Sequence, residues 1–169
     1  MGLKAEKSAG RVLSPILWDW SLAFEQAPTQ KAYAYWCSRC GTHNMPARSD
    51  MSPSGMSRFL PHIVLVEIQR SPGVEDQYRI RLAGTHVEEI MGPIGGRDIR
   101  SFLTPELLDR WREFFGEVRA AEKPARLTGR VSYENKTWLA GEGLLAPLRD
   151  ETDAVAMLFM AISFRPANK

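Results

Sequence analysis

Between Ile63 and Phe164 the hydrophobic period changes twice, and this constrains the fold more than any single motif does. Ile63-Val64-Leu65-Val66-Glu67-Ile68 is a β-branched apolar run of strand type, and Pro72-Gly73 supplies a turn residue able to take positive φ. From Gln77 to Ala83, Tyr78, Ile80 and Leu82 share one strand face while Gln77, Arg79 and Arg81 share the other. A hairpin with one buried face is predicted. Gly84 then breaks the strand, Thr85 and Glu88 have capping-box spacing, and Gly92-Pro93 closes a short helix. After Gly95-Gly96, Thr104 can cap and Pro105 fits the first turn of a longer helix. Its apolar stripe is Leu107, Leu108, Trp111, Phe114, Phe115 and Val118. Beyond Pro124 the period returns to strands over 126–134, 138–148 and 154–164. The last is nearly all apolar, which suits a central strand and, on period alone, a buried helix as well.

Two strands, two helices and three strands predict an α+β fold, a five-stranded antiparallel sheet with helices on one face. An N-terminal helical extension precedes it. Residues 1–28 are expected to be a flexible tail with a candidate short helix at Trp18, Trp20 and Phe24. Residues 29–62 hold a helix over 29–40 and a connector, which Pro46, Pro53, Gly55 and Pro61 restrict to loop and short turns. Residues 63–165 form the core.

At 169 residues the folded chain buries roughly 70% of its extended surface, so no disulfide or metal is needed to hold a core. Net charge is +2 with the signs interleaved, which gives no patch for nucleic acid or an anionic membrane. No apolar run reaches the ~20 residues of a membrane span, and Met1 to Lys7 lack a signal peptide's apolar core. A cytoplasmic location with reduced cysteines is expected, with neither nucleic acid nor membrane as partner.

Several strings occur in a recognisable order: Trp36, Gly41, Met45-Pro46-Ala47-Arg48-Ser49-Asp50, Pro53 and Leu60-Pro61-His62, then Tyr78 to Thr85, Gly96-Arg97 and Ala146-Pro147-Leu148. In these the chain resembles the bacterial PAS-like family over residues 31–165. The resemblance implies a PAS-like sheet with a sensory or regulatory role and no reaction of its own. It also implies a small ligand held between sheet and helices, or an outer sheet face used for dimerisation. A homodimer signalling to a separate, unidentified protein is therefore expected. The resemblance leaves the cofactor unknown. A flavin photosensor of the LOV type would need a cysteine in the short helix, and residues 84–92 contain none.

The candidate ligand-binding residues are Arg79, His86, Trp111, Phe115, Tyr133 and Trp138. The aromatic rings offer stacking area, Arg79 offers a charge for an acidic ligand group, and His86 follows the cap of the short helix. The same rings could equally fill a core. A zinc- or redox-responsive alternative rests on Cys37, Cys40 and His43, with Asp50 or His62 as a fourth ligand. The cysteine pair falls in the last turn of a helix, where the negative end of the dipole disfavours a thiolate. Gly41 after Cys40 excludes a covalently attached haem, which needs histidine there. No catalytic residue is assigned.

Overall fold

The computed structural model describes residues 15–133 and 137–167. The tail expected over the first residues lies outside them. All five expected strands are present, as β2 (Ile63–Ser71), β3 (Val74–Ala83), β4 (Ala125–Tyr133), β5 (Thr137–Arg149) and β6 (Val155–Pro166). A sixth, β1 (Leu17–Asp19), stands where the sequence pointed to a short helix. It pairs with the edge of β4, and Trp18 stacks on Phe114 at 4.8 Å. Three residues of strand can seat a tryptophan on a neighbouring helix, and aromatic spacing alone does not separate this from a helical turn.

All strand pairs are antiparallel in the order β1-β4-β5-β6-β2-β3. β6 is therefore internal, which accounts for its unbroken apolar sequence and excludes the helical reading. Gly73, at φ 73°, makes the β2–β3 turn. One residue departs from the predicted face. Leu65 pairs with Leu82 but Val66 with Ile80, so Arg81 forms a bulge and Leu82 turns outward, 40% exposed. Tyr78 and Ile80 remain buried.

Three α-helices of the described residues pack on this sheet: α1 (Ala27–Ser38), α2 (Thr85–Met91) and α3 (Pro105–Ala121). In α1, Pro28 sits in the first turn, where its missing N–H costs nothing, so the helix begins two residues before the expected start. Thr104 Oγ1 accepts from Leu107 N at 3.5 Å and caps α3 as predicted. The capping box of α2 does not form. Gly84 is its N-cap, and the Glu88 carboxylate instead accepts the Gly95 N–H.

Strand alternation fixes where each helix lies. Met160 and Ile162 of β6 face Trp111 and Phe115 of α3, so α3 packs on the inner face. Glu142 lies on the opposite face, because its neighbour Gly143 pairs with Ile162, and Glu142 meets Thr29 of α1. The core helices thus share one face and the N-terminal helix lies across the other.

Candidate functional site

The inner-face cavity is lined by Val64, Ile80, Trp111, Phe115, Met160 and Ile162, with Met91 from α2 and Ile94, Ile99, Phe102 and Leu103 from the α2–α3 connection. Every lining residue is apolar. Tyr78 packs on Phe115 at 4.9 Å, and Phe115 on Trp111 at 5.5 Å. The remaining volume is about 20 Å³, enough for one water-sized group. Ligand sites for drug-sized molecules occupy roughly 300–1,000 Å³. Side chains therefore fill most of the space between sheet and α3.

One of the lining residues also carries a buried polar atom. Trp111 Nε1 is buried without a hydrogen-bond partner among the described residues. A buried N–H left unpaired costs about 1–3 kcal/mol, so an acceptor beside it would be stabilised by that amount.

Trp111 and Phe115 are the two predicted site residues that the structure brings together. Arg79 is exposed, on the strand face opposite Tyr78 and Ile80, and its Nε donates to the Gly96 carbonyl at 3.0 Å. Strand alternation directs it away from the cavity. Trp138 is 58% exposed on the outer face, because it shares the parity of Glu142 along β5. The side chain of Tyr133 lies outside the described residues. His86 sits in α2 but packs on His62 and Phe164 rather than lining the cavity. With Nε2 accepting from Phe164 N and so little free volume, His86 and this cavity do not fit a haem.

Among the described residues no group of three His, Cys, Asp or Glu side chains is gathered to hold a metal. The proposed set of Cys37, Cys40 and His43 is not assembled. Cys37 and His43 are exposed, and Cys40 Sγ donates to the Trp36 carbonyl at 3.4 Å. Burial first, and Cys37 second, raise the Cys40 thiol above its ordinary pKa, which disfavours the thiolate that metal or disulfide chemistry needs.

A polar cluster on the outer face is a site that sequence reasoning missed. Glu142 is 3% exposed and accepts from Glu25 N at 2.8 Å, Gln26 N at 2.9 Å, the Thr29 hydroxyl, and Arg126 Nε and Nη2 at 3.1 and 2.9 Å. Its carboxylate thereby caps the start of α1. Burial pushes its pKa up, but the bonds from Thr29, Glu25, Gln26 and Arg126 outweigh this and hold it below the ordinary value. A lone glutamate between two glycines in a strand was the available signal. The outer face expected to be free for dimerisation is thus partly covered by the chain's own helix, while Leu17 and Trp138 stay exposed.

The strings behind the resemblance also find their places. Trp36 Nε1 donates to the Pro147 carbonyl at 3.0 Å, and Arg149 N donates to the Pro46 carbonyl at 2.9 Å. Asp50 accepts Ala47 N at 3.0 Å. Gly96 N donates to the Ile80 carbonyl and Ile80 N to the Arg97 carbonyl, closing the α2–α3 connection onto β3.

No helix among the described residues is long and apolar enough to cross a membrane. No curated protein matches the chain. Among solved structures, an RNA-binding light-oxygen-voltage receptor is 15% identical with a TM-score of 0.44 over 68% of this chain, which spans 33% of that receptor. The light-state blue-light photoreceptor Aureochrome1 LOV is 14% identical, TM-score 0.43, over 69% of this chain and 88% of its own. The Rhodobacter sphaeroides LOV protein is 14% identical, TM-score 0.43, over 83% and 68% respectively. A family model described as the PAS domain matches residues 24–162, most of the sequence, and the chain belongs to the PAS domain family.

Proposed function

We propose that this chain is a non-enzymatic sensory PAS module that takes a small, largely apolar molecule beside Trp111 and passes the change to a separate effector protein. The observation that carries this reading is an apolar cavity between sheet and α3, one of whose lining residues, Trp111, carries a buried Nε1 without a hydrogen-bond partner among the described residues. A ligand with one hydrogen-bond acceptor would satisfy that donor, and the apolar lining would supply affinity through burial. Anything larger than a water-sized group must displace part of the wall. Phe102 and Leu103 are half-buried, and the Arg97 guanidinium lies 5.4 Å from the Phe102 ring centroid. Displacing them would move the α2–α3 connection, which gives binding a route to the surface. An all-apolar lining offers neither nucleophile nor base, which supports a sensor over an enzyme.

Trp111→Phe keeps most of the ring and deletes only the donor. Native against denaturing mass spectra of the purified protein should show a bound small molecule in the wild type and its loss from a folded Trp111→Phe variant. A folded variant retaining the same added mass, or a wild type carrying none, would refute the reading. Stability gives a second sign test. With ligand removed, the substitution should be neutral or stabilising because it deletes an unpaired donor, and with ligand bound it should be destabilising.

A further inference from the structure

The first hydrogen-bonding positions of β6 beyond the end of β2 are completed by two histidines. β2 begins at Ile63, which pairs with Ala161, so no β2 residue faces the stretch of β6 that follows. β5 still pairs with the other edge of that stretch as far as Pro166. On the edge β2 has vacated, His62 Nδ1 lies 3.1 Å from the Ile162 carbonyl, and Phe164 N donates to His86 Nε2 at 3.4 Å. The two imidazoles pack with centroids 4.3 Å apart, and His86 lies 5.7 Å from the Phe164 ring.

These bonds define the protons. His62 carries its proton on Nδ1, and His86 must leave Nε2 bare. Backbone geometry brings the rings together. Gly84 lies against the Pro61 carbonyl, where a Cβ would come within 2.2 Å of the oxygen, and Gly84 N donates to the Ile63 carbonyl at 2.7 Å. The Leu60-Pro61-His62 turn and the start of α2 are therefore locked side by side.

We propose that His62 and His86 form a proton-operated latch between α2 and β6. A proton taken from solvent at His86 Nε2 removes the acceptor for the Phe164 N–H. Protonation of both rings places two cations 4.3 Å apart. α2 then loses its polar tie to β6, and α2 carries Met91, one wall of the inner cavity. The latch stands on the histidine geometry alone and does not depend on the ligand reading.

The surroundings favour the neutral state. Burial lowers the pKa of both histidines; the Ile162 carbonyl opposes this at His62, while at His86 its neighbour His62 lowers it further and Glu89 opposes. Glu88 on the same helix is engaged with Gly95 N, and Arg165 on β6 is directed to Glu25. Both folded-state values lie below the ordinary one. The stabilisation is therefore complete above about pH 6.5, declines below it and is gone once the pH has fallen through the folded-state values.

The test is made on the full chain. Imidazole NMR titration is combined with hydrogen exchange at Phe164 and along α2, between about pH 7.5 and about pH 4.5 and corrected for intrinsic exchange. As the rings titrate, protection at these amides should fall about tenfold or more while β4 and β5 keep theirs. His86→Gln, a neutral side chain with an acceptor oxygen, should abolish the step. Unchanged α2 protection after both rings have titrated would overturn the latch, as would a full-sized step in His86→Gln. If that variant does not fold, His62→Gln serves in its place. It should raise the His86 midpoint towards the ordinary value, and an unmoved midpoint would equally overturn the proposal.

Discussion

Replacing Glu142 by glutamine tests what holds the N-terminal helix on the sheet. The carboxylate receives five hydrogen bonds, two from backbone N–H groups at the start of α1, one from Thr29 and two from Arg126. Glutamine has nearly the same volume but only one acceptor oxygen, and its NH₂ turns donors towards donors. At least two of the five bonds are then lost, at about 1.5–3 kcal/mol for each bond to a charged group. Arg126 keeps Asp19 at 3.5 Å, and its side chain is 17% exposed, so water recovers part of the loss. The net expectation is about 2–4 kcal/mol, or roughly 4–16 °C in Tm for a chain of this size. Urea unfolding followed by tryptophan fluorescence gives the global value, and hydrogen exchange over α1 localises it. The pH dependence adds a sign. Because the Glu142 pKa is depressed from its ordinary 4.5, its contribution is full above that value and is lost as the pH falls through the folded-state value. Glu142→Gln should lack this component of the acid transition. A loss below about 1 kcal/mol with α1 amides as protected as in the wild type would refute the argument that this carboxylate anchors the helix.

Three further substitutions separate causes that the sequence alone confounds. Gly84→Ala forces a Cβ to 2.2 Å from the Pro61 backbone oxygen, which cannot rotate away, so a cost of about 3 kcal/mol or more is expected in the urea midpoint. Gly73→Ala, at φ 73° with nothing within 4 Å, should cost only about 1 kcal/mol, and equal costs at the two sites would contradict the packing account. Trp36→Phe leaves the Pro147 carbonyl without its 3.0 Å donor in a buried position. A loss of about 1–3 kcal/mol is expected, and an unchanged midpoint would show that the bond contributes nothing net.

What the sequence disclosed follows from period, and what it hid follows from pairing. The α3 stripe and the strands of the sheet were readable because burial imposes 3.6- and 2-residue periods on apolar residues. Those periods say nothing about register, so the bulge at Arg81 that turns Leu82 outward was invisible. β1 was misread for a related reason, because three residues are too few to show a period. Aromatic character singled out Trp111, Phe115 and Trp138 alike, yet only strand parity along β5 places Trp138 on the outer face. Glu142 was missed because its five donors come from four residues in two segments, 25–29 and Arg126, which only the folded structure brings together.

The strings on which the resemblance was read are likewise mostly not cavity residues. Trp36 and Pro46 reach Pro147 and Arg149 at the end of β5, while Gly84 meets Pro61 and His62 reaches Ile162 of β6. The cavity, by contrast, is lined by apolar side chains of which any volume-conserving set would pack. A backbone carbonyl or N–H at a strand end needs one partner at one distance, and only a few side chains at fixed positions can supply it. The polar and glycine positions of the strings therefore record how the N-terminal segment and α2 are tied to the sheet. On the function proposed above, what the chain detects would be set by the apolar residues between those ties, Trp111 and Phe115 among them.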